Sequence, residues 1–150
     1  MHKRNPSEWL CFKRTARFGE TDSAGVVHFL QLFKWCHESW EESLEKYGIP
    51  LQDIFPTSQI DISQLDVALP VVNCEANYFK PVYVGDIVNI ELYPEKKSDD
   101  SFILRFELTK NGKQIGMTKI QHVSINPITR KKCLLSKQIN LWIEESVVDF

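Results

Sequence analysis

The chain has 150 residues, of which 25% are charged, and its formal net charge is −2 at pH 7. This length suits a single domain, residues 1–150, with a core large enough to be stable without disulfides or metals. The small net charge argues against a nucleic-acid partner, so any anion site must be local. No apolar run approaches the ~20 residues that cross a bilayer, so we expect no membrane partner.

The cysteines and histidines suggest neither a disulfide framework nor a metal site. The four cysteines, Cys11, Cys36, Cys74 and Cys133, are spaced singly and form no C-x-x-C pair. We expect them to be buried free thiols in a reducing compartment, and therefore a cytoplasmic protein. The N-terminal residues include no apolar signal segment, which favours the same location. The four histidines show no H-x-x-x-H spacing, so we expect no metal.

A polar arm over residues 1–8 precedes an alternating stretch, Leu10 to Phe18, that predicts a first strand. One long apolar helix is predicted next, with its beginning marked by the capping residue types Thr21, Asp22 and Ser23. Gly48 and the proline that follows predict its end. One face of this helix is apolar at steps of three or four residues: Phe29, Phe33, Cys36, Trp40, Leu44 and Tyr47. Because much of the remaining circumference is apolar too, we expect the helix to be buried on most sides.

Residues 51–68 predict a connecting loop, long enough to be a candidate lid over a site. Four strands are predicted after it, interrupted by solvated turns at 84–86 and 94–100 and by the hairpin turn Asn111-Gly112. The last strand, 114–126, loses its alternation between Met117 and Ile120, which predicts a bulge or a strong bend. Residues 136–146 predict a short terminal helix. This order predicts an α+β fold in which one long central helix is wrapped by a curved antiparallel β-sheet.

The beginning of the long helix is the candidate site. Backbone N–H groups there carry the positive end of the helix dipole and can hold an oxyanion, and Gly25 allows close approach of a ligand. Asp22 beside these donors resembles acyl-transfer machinery, in which a carboxylate attacks a carbonyl or activates water. From spacing alone, a simple helix cap worth about 1 kcal/mol is the favoured role for Asp22. Likewise, Glu20 is expected to be solvated, and His28 either contacts a substrate or only packs.

Three segments resemble one enzyme family. Residues 20–29, E-T-D-S-A-G-V-V-H-F, resemble the D-x-D-x-A-G-x-V-x-[FY] segment of the 4-hydroxybenzoyl-CoA thioesterase family, which has the hotdog fold. Residues 70–86 are similar to that family's second strand and the turn after it. Residues 36–44 are closer still to one branch, the 1,4-dihydroxy-2-naphthoyl-CoA thioesterases of cyanobacterial phylloquinone (vitamin K1) biosynthesis, which have C-H-E-A-Y-E-x-x-L there.

The resemblance assigns roles to individual residues. It implies that Asp22 is the catalytic carboxylate and that the backbone N–H of Phe29 is the oxyanion donor. Gly25 and His28 then fall in the substrate-binding segment. Two positions depart from the family pattern: Glu20 stands where Asp is usual, and His28 stands where an aromatic such as Tyr is usual. Whether Asp22 acts as nucleophile or as general base stays open.

The implied reaction is hydrolysis of an aromatic acyl-CoA, above all 1,4-dihydroxy-2-naphthoyl-CoA, to the acid and CoA. It needs no cofactor, since CoA is part of the substrate. The resemblance also implies a homotetramer, a dimer of dimers with sites between subunits. An ordinary solvated charge is the favoured role of each basic residue, but the candidate cations for the CoA phosphates are Lys96, Lys97, Arg130, Lys131 and Lys132. Two alternatives remain: a thioesterase of short- or medium-chain fatty acyl-CoA, and a non-catalytic acyl-CoA-binding hotdog protein.

Overall fold

The computed structural model describes residues 3–148. Its helices are α1 (Ser7–Leu10), α2 (Phe29–Tyr47) and α3 (Lys137–Glu145), and its strands are β1 (Cys11–Thr15), β2 (Val71–Tyr78), β3 (Ile87–Ser98), β4 (Ser101–Lys110) and β5 (Lys113–Val123). Short 3-10 turns lie before α2, at Phe18–Glu20, and after it, at Leu51–Asp53 and Ile62–Gln64. The predicted order of one strand, one long helix and four further strands is confirmed.

The five strands form one antiparallel sheet in the order β1-β3-β4-β5-β2. β1 and β2 are therefore the edge strands. The predicted hairpin between β4 and β5 is confirmed: Asn111 and Gly112 both have positive φ, of 50° and 75°. That pair of left-handed residues matches the twist of the flanking strands.

Helix α2 lies along one face of the sheet and forms the centre of the core. Its side chains Trp35, Cys36, Trp40 and Leu44 are at most 2% exposed. They pack against inward-facing residues of the three central strands: Val88, Ile90, Leu92, Phe102, Leu104, Phe106, Leu108, Ile115 and Ile120. The predicted burial of the helix is only partly confirmed, because Phe29 and Leu30 at its beginning are each 57% exposed, and Phe33 and Tyr47 are only partly buried. The predicted end of the helix is confirmed, because Gly48 caps it in a left-handed conformation.

The helix begins later than the sequence predicts. It starts at Phe29, with His28 as the cap, rather than near Thr21, Asp22 and Ser23. Those three residues belong to a separate turn that ends in a β-bridge between Thr21 and Val27. Capping residue types also favour turns, and Gly25 with a φ of 80° allows one here, which explains the error.

Two strand predictions are wrong in detail. Residues 94–98 extend β3 instead of forming a turn, and Pro94 is tolerated because β1 pairs with β3 only as far as Glu91. The irregularity in β5 falls opposite Leu108 and Thr109, next to Ile115, and not between Met117 and Ile120. The polar residue Thr118 faces the core, where its hydroxyl donates to the Cys36 sulfur at 3.1 Å.

The cysteine prediction is only partly correct. All four cysteines are free, as expected, and Cys36 is buried. Cys11 and Cys74, however, are exposed, since both lie on edge strands. Burial raises the pKa of Cys36 to about 12, so this thiol stays protonated and acts as a small apolar core residue.

Gly116 lets helix α2 approach the sheet closely, and we expect Gly116→Ala to destabilise the fold. A Cβ at this position would lie 3.0 Å from the Asn77 carbonyl oxygen and 3.1 Å from Leu32 Cδ2. Overpacking of this kind costs about 1–3 kcal/mol of unfolding free energy, measurable by urea denaturation. Gly19→Ala is the control, since nothing lies within 4 Å of a Cβ there. Equal stability of the two variants would contradict the close-packing argument.

His122 is fully buried, and we expect it to make the fold acid-sensitive. Its Nδ1 lies 2.8 Å from the Leu69 carbonyl oxygen, to which it must donate. Burial lowers the pKa of His122 from an ordinary 6.5 to about 4. As the pH falls through this window, the unfolded chain takes up a proton that the folded chain does not. Stability is therefore lost between pH 6.5 and pH 4, by up to about 3 kcal/mol.

The variant His122→Phe tests this acid sensitivity, because a phenyl ring fits between Phe102 and Trp40, whose rings lie 5.1 and 4.4 Å from the imidazole. The unfolding free energy of the variant should change less between pH 6.5 and pH 4 than that of the wild type. Identical pH dependence of the two proteins would assign the sensitivity to other groups.

Candidate active site

A pocket of about 390 Å³ lies where helix α2 begins. It is formed by the turn before the helix, the first residues of the helix, the end of β2 and the loop after β2. Asp22 and Phe29 both line it, so the structure brings the predicted carboxylate and the predicted oxyanion donor to one cavity. The remaining lining is mostly apolar: Val26, Val27, Leu32, Tyr78, Phe79, Lys80, Pro81, Val82 and Ile115.

The turn over residues 21–27 holds Asp22 at the rim of this pocket. Its backbone closes through the Asp22 N–H, which donates to the Val26 carbonyl at 2.9 Å, and the Gly25 N–H, which donates to the Asp22 carbonyl at 3.0 Å. One carboxylate oxygen of Asp22 accepts from the Ala24 N–H at 2.8 Å. Within residues 3–148 the other oxygen accepts no hydrogen bond, so it can face a reacting group. Asp22 is therefore not the helix cap.

The backbone N–H of Phe29 is a free donor at the positive end of helix α2. His28 caps the helix by accepting the Leu30 N–H on its Nδ1 at 3.2 Å, and its carbonyl accepts the Gln31 N–H at 2.9 Å. The Phe29 N–H makes no hydrogen bond in the part of the chain that the structure describes. An unpaired amide at this position favours a developing negative charge.

Two pocket residues, Tyr78 and Lys80, were missed by the sequence interpretation. The hydroxyl of Tyr78 donates to the Phe29 carbonyl at 2.5 Å and so joins β2 to the first residue of the helix. Partial burial raises the pKa of Tyr78. Among the residues that the structure describes, Lys80 is the one cation that lines the pocket. It has no ion-pair partner among residues 3–148. The sequence signal available for Lys80 was its position just after β2, within the segment 70–86 that resembles the family.

Glu20 is not the solvated carboxylate that the sequence favoured. Its Oε2 accepts from the indole N–H of Trp35 at 2.9 Å, and its Oε1 accepts from the Arg17 N–H at 2.8 Å. Its backbone carbonyl accepts from the His28 N–H at 2.8 Å. Glu20 thereby connects the turn that carries Asp22 to the helix behind it.

Gly25 and His28 lie close to the pocket in sequence but do not line it. Gly25 supplies the left-handed residue of the turn. The His28 ring packs on the Phe29 ring with centroids 4.5 Å apart. It lines a neighbouring cavity of about 310 Å³ together with Glu20, Gln31 and Lys34.

The five basic residues predicted to bind CoA lie at the other end of the sheet. In the strand pairing, Lys96 lies opposite Phe102, and Phe102 lies opposite His122 of β5. The pocket residue Tyr78 lies opposite Gly116 of β5. Six residues along β5 separate these two positions, roughly 20 Å. Lys96 is ion-paired with Asp99 at 3.6 Å, Lys97 donates to Gln121 at 3.2 Å, and the exposed 130–132 cluster follows β5.

The described residues contain no cluster of three or more His, Cys, Asp or Glu side chains that could hold a metal ion. Over the same residues, no helix has the length and apolar character needed to cross a bilayer. The pocket offers the Asp22 carboxylate, the residue Phe29 with its N–H, and apolar walls. A carboxylate and an unpaired N–H facing one apolar space can act on opposite sides of a carbonyl group.

Comparisons with known proteins identify the family of the chain. Residues 16–143 match the thioesterase-like superfamily. A protein of Prochlorococcus marinus strain NATL2A, named 1,4-dihydroxy-2-naphthoyl-CoA hydrolase, is 73% identical over 150 residues, which cover 100% of this chain and 97% of the relative.

Two crystal structures share the fold over most of their length. One, from Prochlorococcus marinus strain MIT 9313, superposes with a TM-score of 0.92 at 45% identity, covering 96% of this chain and 100% of the other. The second, a 1,4-dihydroxy-2-naphthoyl-CoA thioesterase from Synechocystis, superposes with a TM-score of 0.80 at 29% identity, covering 89% and 94%. With a long helix wrapped by an antiparallel sheet and a family match over most of its length, this chain belongs to the thioesterase-like superfamily and has the hotdog fold.

Proposed function

We propose that the chain, as a single domain over residues 1–150, hydrolyses 1,4-dihydroxy-2-naphthoyl-CoA to 1,4-dihydroxy-2-naphthoate and CoA. Phylloquinone biosynthesis is the corresponding pathway. The names of the 73% and 71% identical relatives support this substrate. The observation that carries the reaction is that Asp22 and Phe29, whose N–H is unpaired, line one apolar pocket.

In the proposed reaction, the thioester carbonyl oxygen accepts the Phe29 N–H. The ionised Asp22 carboxylate then supplies the electron pair, either by attacking the carbonyl carbon itself or by deprotonating a water that attacks it. The tetrahedral oxyanion is stabilised by the N–H and by the dipole of α2, and it collapses by breaking the carbon–sulfur bond. CoA leaves as a thiolate, which needs no strong general acid, and the reaction needs no cofactor. On the attack route, water then hydrolyses the mixed anhydride on Asp22.

The pocket walls suit a flat aromatic acyl group. Phe29, Tyr78 and Phe79 contribute aromatic rings, and Val26, Leu32 and Ile115 contribute aliphatic surface. Aromatic rings stack favourably against such surfaces. A volume of about 390 Å³ lies in the ordinary range for a small-molecule site.

Edge strand β2 suggests that the working enzyme is an oligomer. All of its residues except Ala76 are exposed, including the large apolar side chains of Val71, Val72 and Tyr78. An exposed edge with apolar residues favours pairing with another chain, and we propose a second copy of this chain, assembling further into a dimer of dimers. In such an oligomer, the basic residues at 96–97 and 130–132 could bind CoA only if it occupied the pocket of a neighbouring copy that lies at their end of the sheet. The free cysteines support a cytoplasmic location.

Replacement of the carboxylate tests the reaction. We expect Asp22→Asn to lower kcat by at least roughly 100-fold, because the amide neither attacks nor accepts a proton, while KM changes little. Release of free thiol from the naphthoyl-CoA ester gives both constants. Glu144→Gln, the same chemical change on the exposed side of α3, is the control and should leave both unchanged.

The wild-type enzyme also decides between this function and its alternatives. A strong preference for short- or medium-chain aliphatic CoA esters would replace the proposed substrate by a fatty acyl-CoA. Tight binding of CoA esters without any release of thiol would make the protein a non-catalytic binder.

Lys80 is proposed to contact an anionic group of CoA, since it is an unpaired cation on the pocket wall. We expect Lys80→Ala to raise KM roughly 10-fold with kcat nearly unchanged, the loss of about 1.4 kcal/mol of binding typical of one charge-assisted contact. The difference from wild type should shrink at high salt, because salt screens the attraction. Lys137→Ala, an exposed lysine on α3, is the control. A lower kcat with unchanged KM would contradict a binding role.

A further inference from the structure

Glu20 holds three parts of the active-site region together through three hydrogen bonds. Its carboxylate accepts from the Trp35 indole N–H at 2.9 Å and from the Arg17 N–H at 2.8 Å. Its backbone carbonyl accepts from the His28 N–H at 2.8 Å. The first bond reaches into helix α2, the second closes the 3-10 turn before the site, and the third lies next to the oxyanion donor.

Trp35 is a rigid anchor for this arrangement. It lies about two turns into α2, and only 2% of it is exposed. Because the indole is packed in the core, its N–H cannot follow a moving partner. A hydrogen bond from it to an ionised carboxylate is shorter and stronger than one between neutral groups. The Glu20 side chain is therefore fixed relative to the helix.

The position of Glu20 in the chain connects this anchor to both reacting groups. Asp22 is two residues after Glu20, and Phe29 directly follows His28, whose N–H Glu20 binds. One residue thus restrains the carboxylate on one side of the pocket and the oxyanion donor on the other. Small displacements of such groups are costly, since a shift of ~1 Å can lower a rate about 100-fold.

We propose that Glu20 is a positioning residue: bound to Trp35, it sets the separation between the Asp22 carboxylate and the Phe29 N–H. This inference rests on the proposed thioesterase function. Glu20 does not line the Asp22 pocket but lines the neighbouring cavity beside His28, so we infer that it acts through Asp22 and Phe29 and not by contact with the acyl group. Its effect therefore falls on the rate of the chemical step and not on the affinity for the acyl-CoA.

Length and charge of the side chain should both matter. Glu20→Asp shortens it by one methylene group, so it no longer reaches the indole. Glu20→Gln keeps the length of the side chain but offers only one acceptor oxygen to the two donors, the Trp35 indole N–H and the Arg17 N–H. Glu20→Ala removes both of these hydrogen bonds. Trp35→Phe keeps the packing and removes the donor. Ser43→Ala is the matched control, because it leaves another buried indole, that of Trp142, without its partner at 3.2 Å, far along α2.

Steady-state thiol release and thermal unfolding of these variants test the proposal. We expect Glu20→Ala and Glu20→Asp to lower kcat roughly 10- to 100-fold with KM within about 3-fold of wild type. The double variant Glu20→Ala with Trp35→Phe should be no slower than Glu20→Ala alone, because the alanine change already removes the contact that Trp35→Phe breaks. Ser43→Ala should lower the unfolding midpoint and keep kcat. Unchanged kcat in Glu20→Ala, with only a lower midpoint, would overturn the positioning role.

Amide hydrogen exchange separates this inference from the proposed function. In Glu20→Ala we expect faster exchange at the Gly25 and His28 N–H groups, which close the turn and the Glu20 contact. If wild type releases no thiol from any acyl-CoA, the function is wrong, and the exchange rates still report whether Glu20 fixes the turn. Wild-type exchange rates at both amides in the variant would overturn the inference on their own.

Discussion

The burial of helix α2 against the sheet determines where every other part of the site lies. Trp35, Cys36, Trp40 and Leu44 form a continuous buried surface, so the helix cannot slide or rotate without exposing it. Gly116 allows Leu32 to come close to the strands, which fixes the first half of the helix at the level where β2 ends. The position of the helix N-terminus is thus a consequence of core packing.

Around that N-terminus, the Phe29 amide has no hydrogen-bond partner among residues 3–148. His28 takes up the amides of Leu30 and Gln31, and its own amide is bound by Glu20. Only the Phe29 amide is left without a partner among these groups, beside an apolar pocket and the Asp22 turn. An unpaired amide next to an apolar surface is costly for folding alone, and a substrate oxygen that accepts from it removes the cost.

Most of the fold could be predicted from local sequence signals. The Asn111-Gly112 turn, the end of α2 at Gly48 and the alternation of the strands each depend on residues close in the chain. The family-like segment also gave Asp22 and Phe29, which the structure places on one pocket. The beginning of α2 was wrong because capping residues and turn residues are the same types, and nothing local distinguishes them.

The parts of the site that could not be predicted depend on contacts between distant residues. Glu20 and Trp35 are 15 residues apart, and Tyr78 and Phe29 are 49 apart. No periodicity or motif links such pairs before the fold brings them together. The same holds for Thr118, whose hydroxyl donates to the sulfur of Cys36, 82 residues away in the chain.

The hydrogen bond from Tyr78 to the Phe29 carbonyl has a consequence for assembly. Tyr78 lies on the edge strand β2. The carbonyl that accepts its hydrogen bond belongs to Phe29, the first residue of α2, whose N–H is the proposed oxyanion donor. Anything that bound along this edge would therefore contact the strand whose Tyr78 holds the Phe29 peptide. If a second copy pairs along β2 as proposed, this one hydrogen bond connects the assembly of the protein to its proposed rate of hydrolysis.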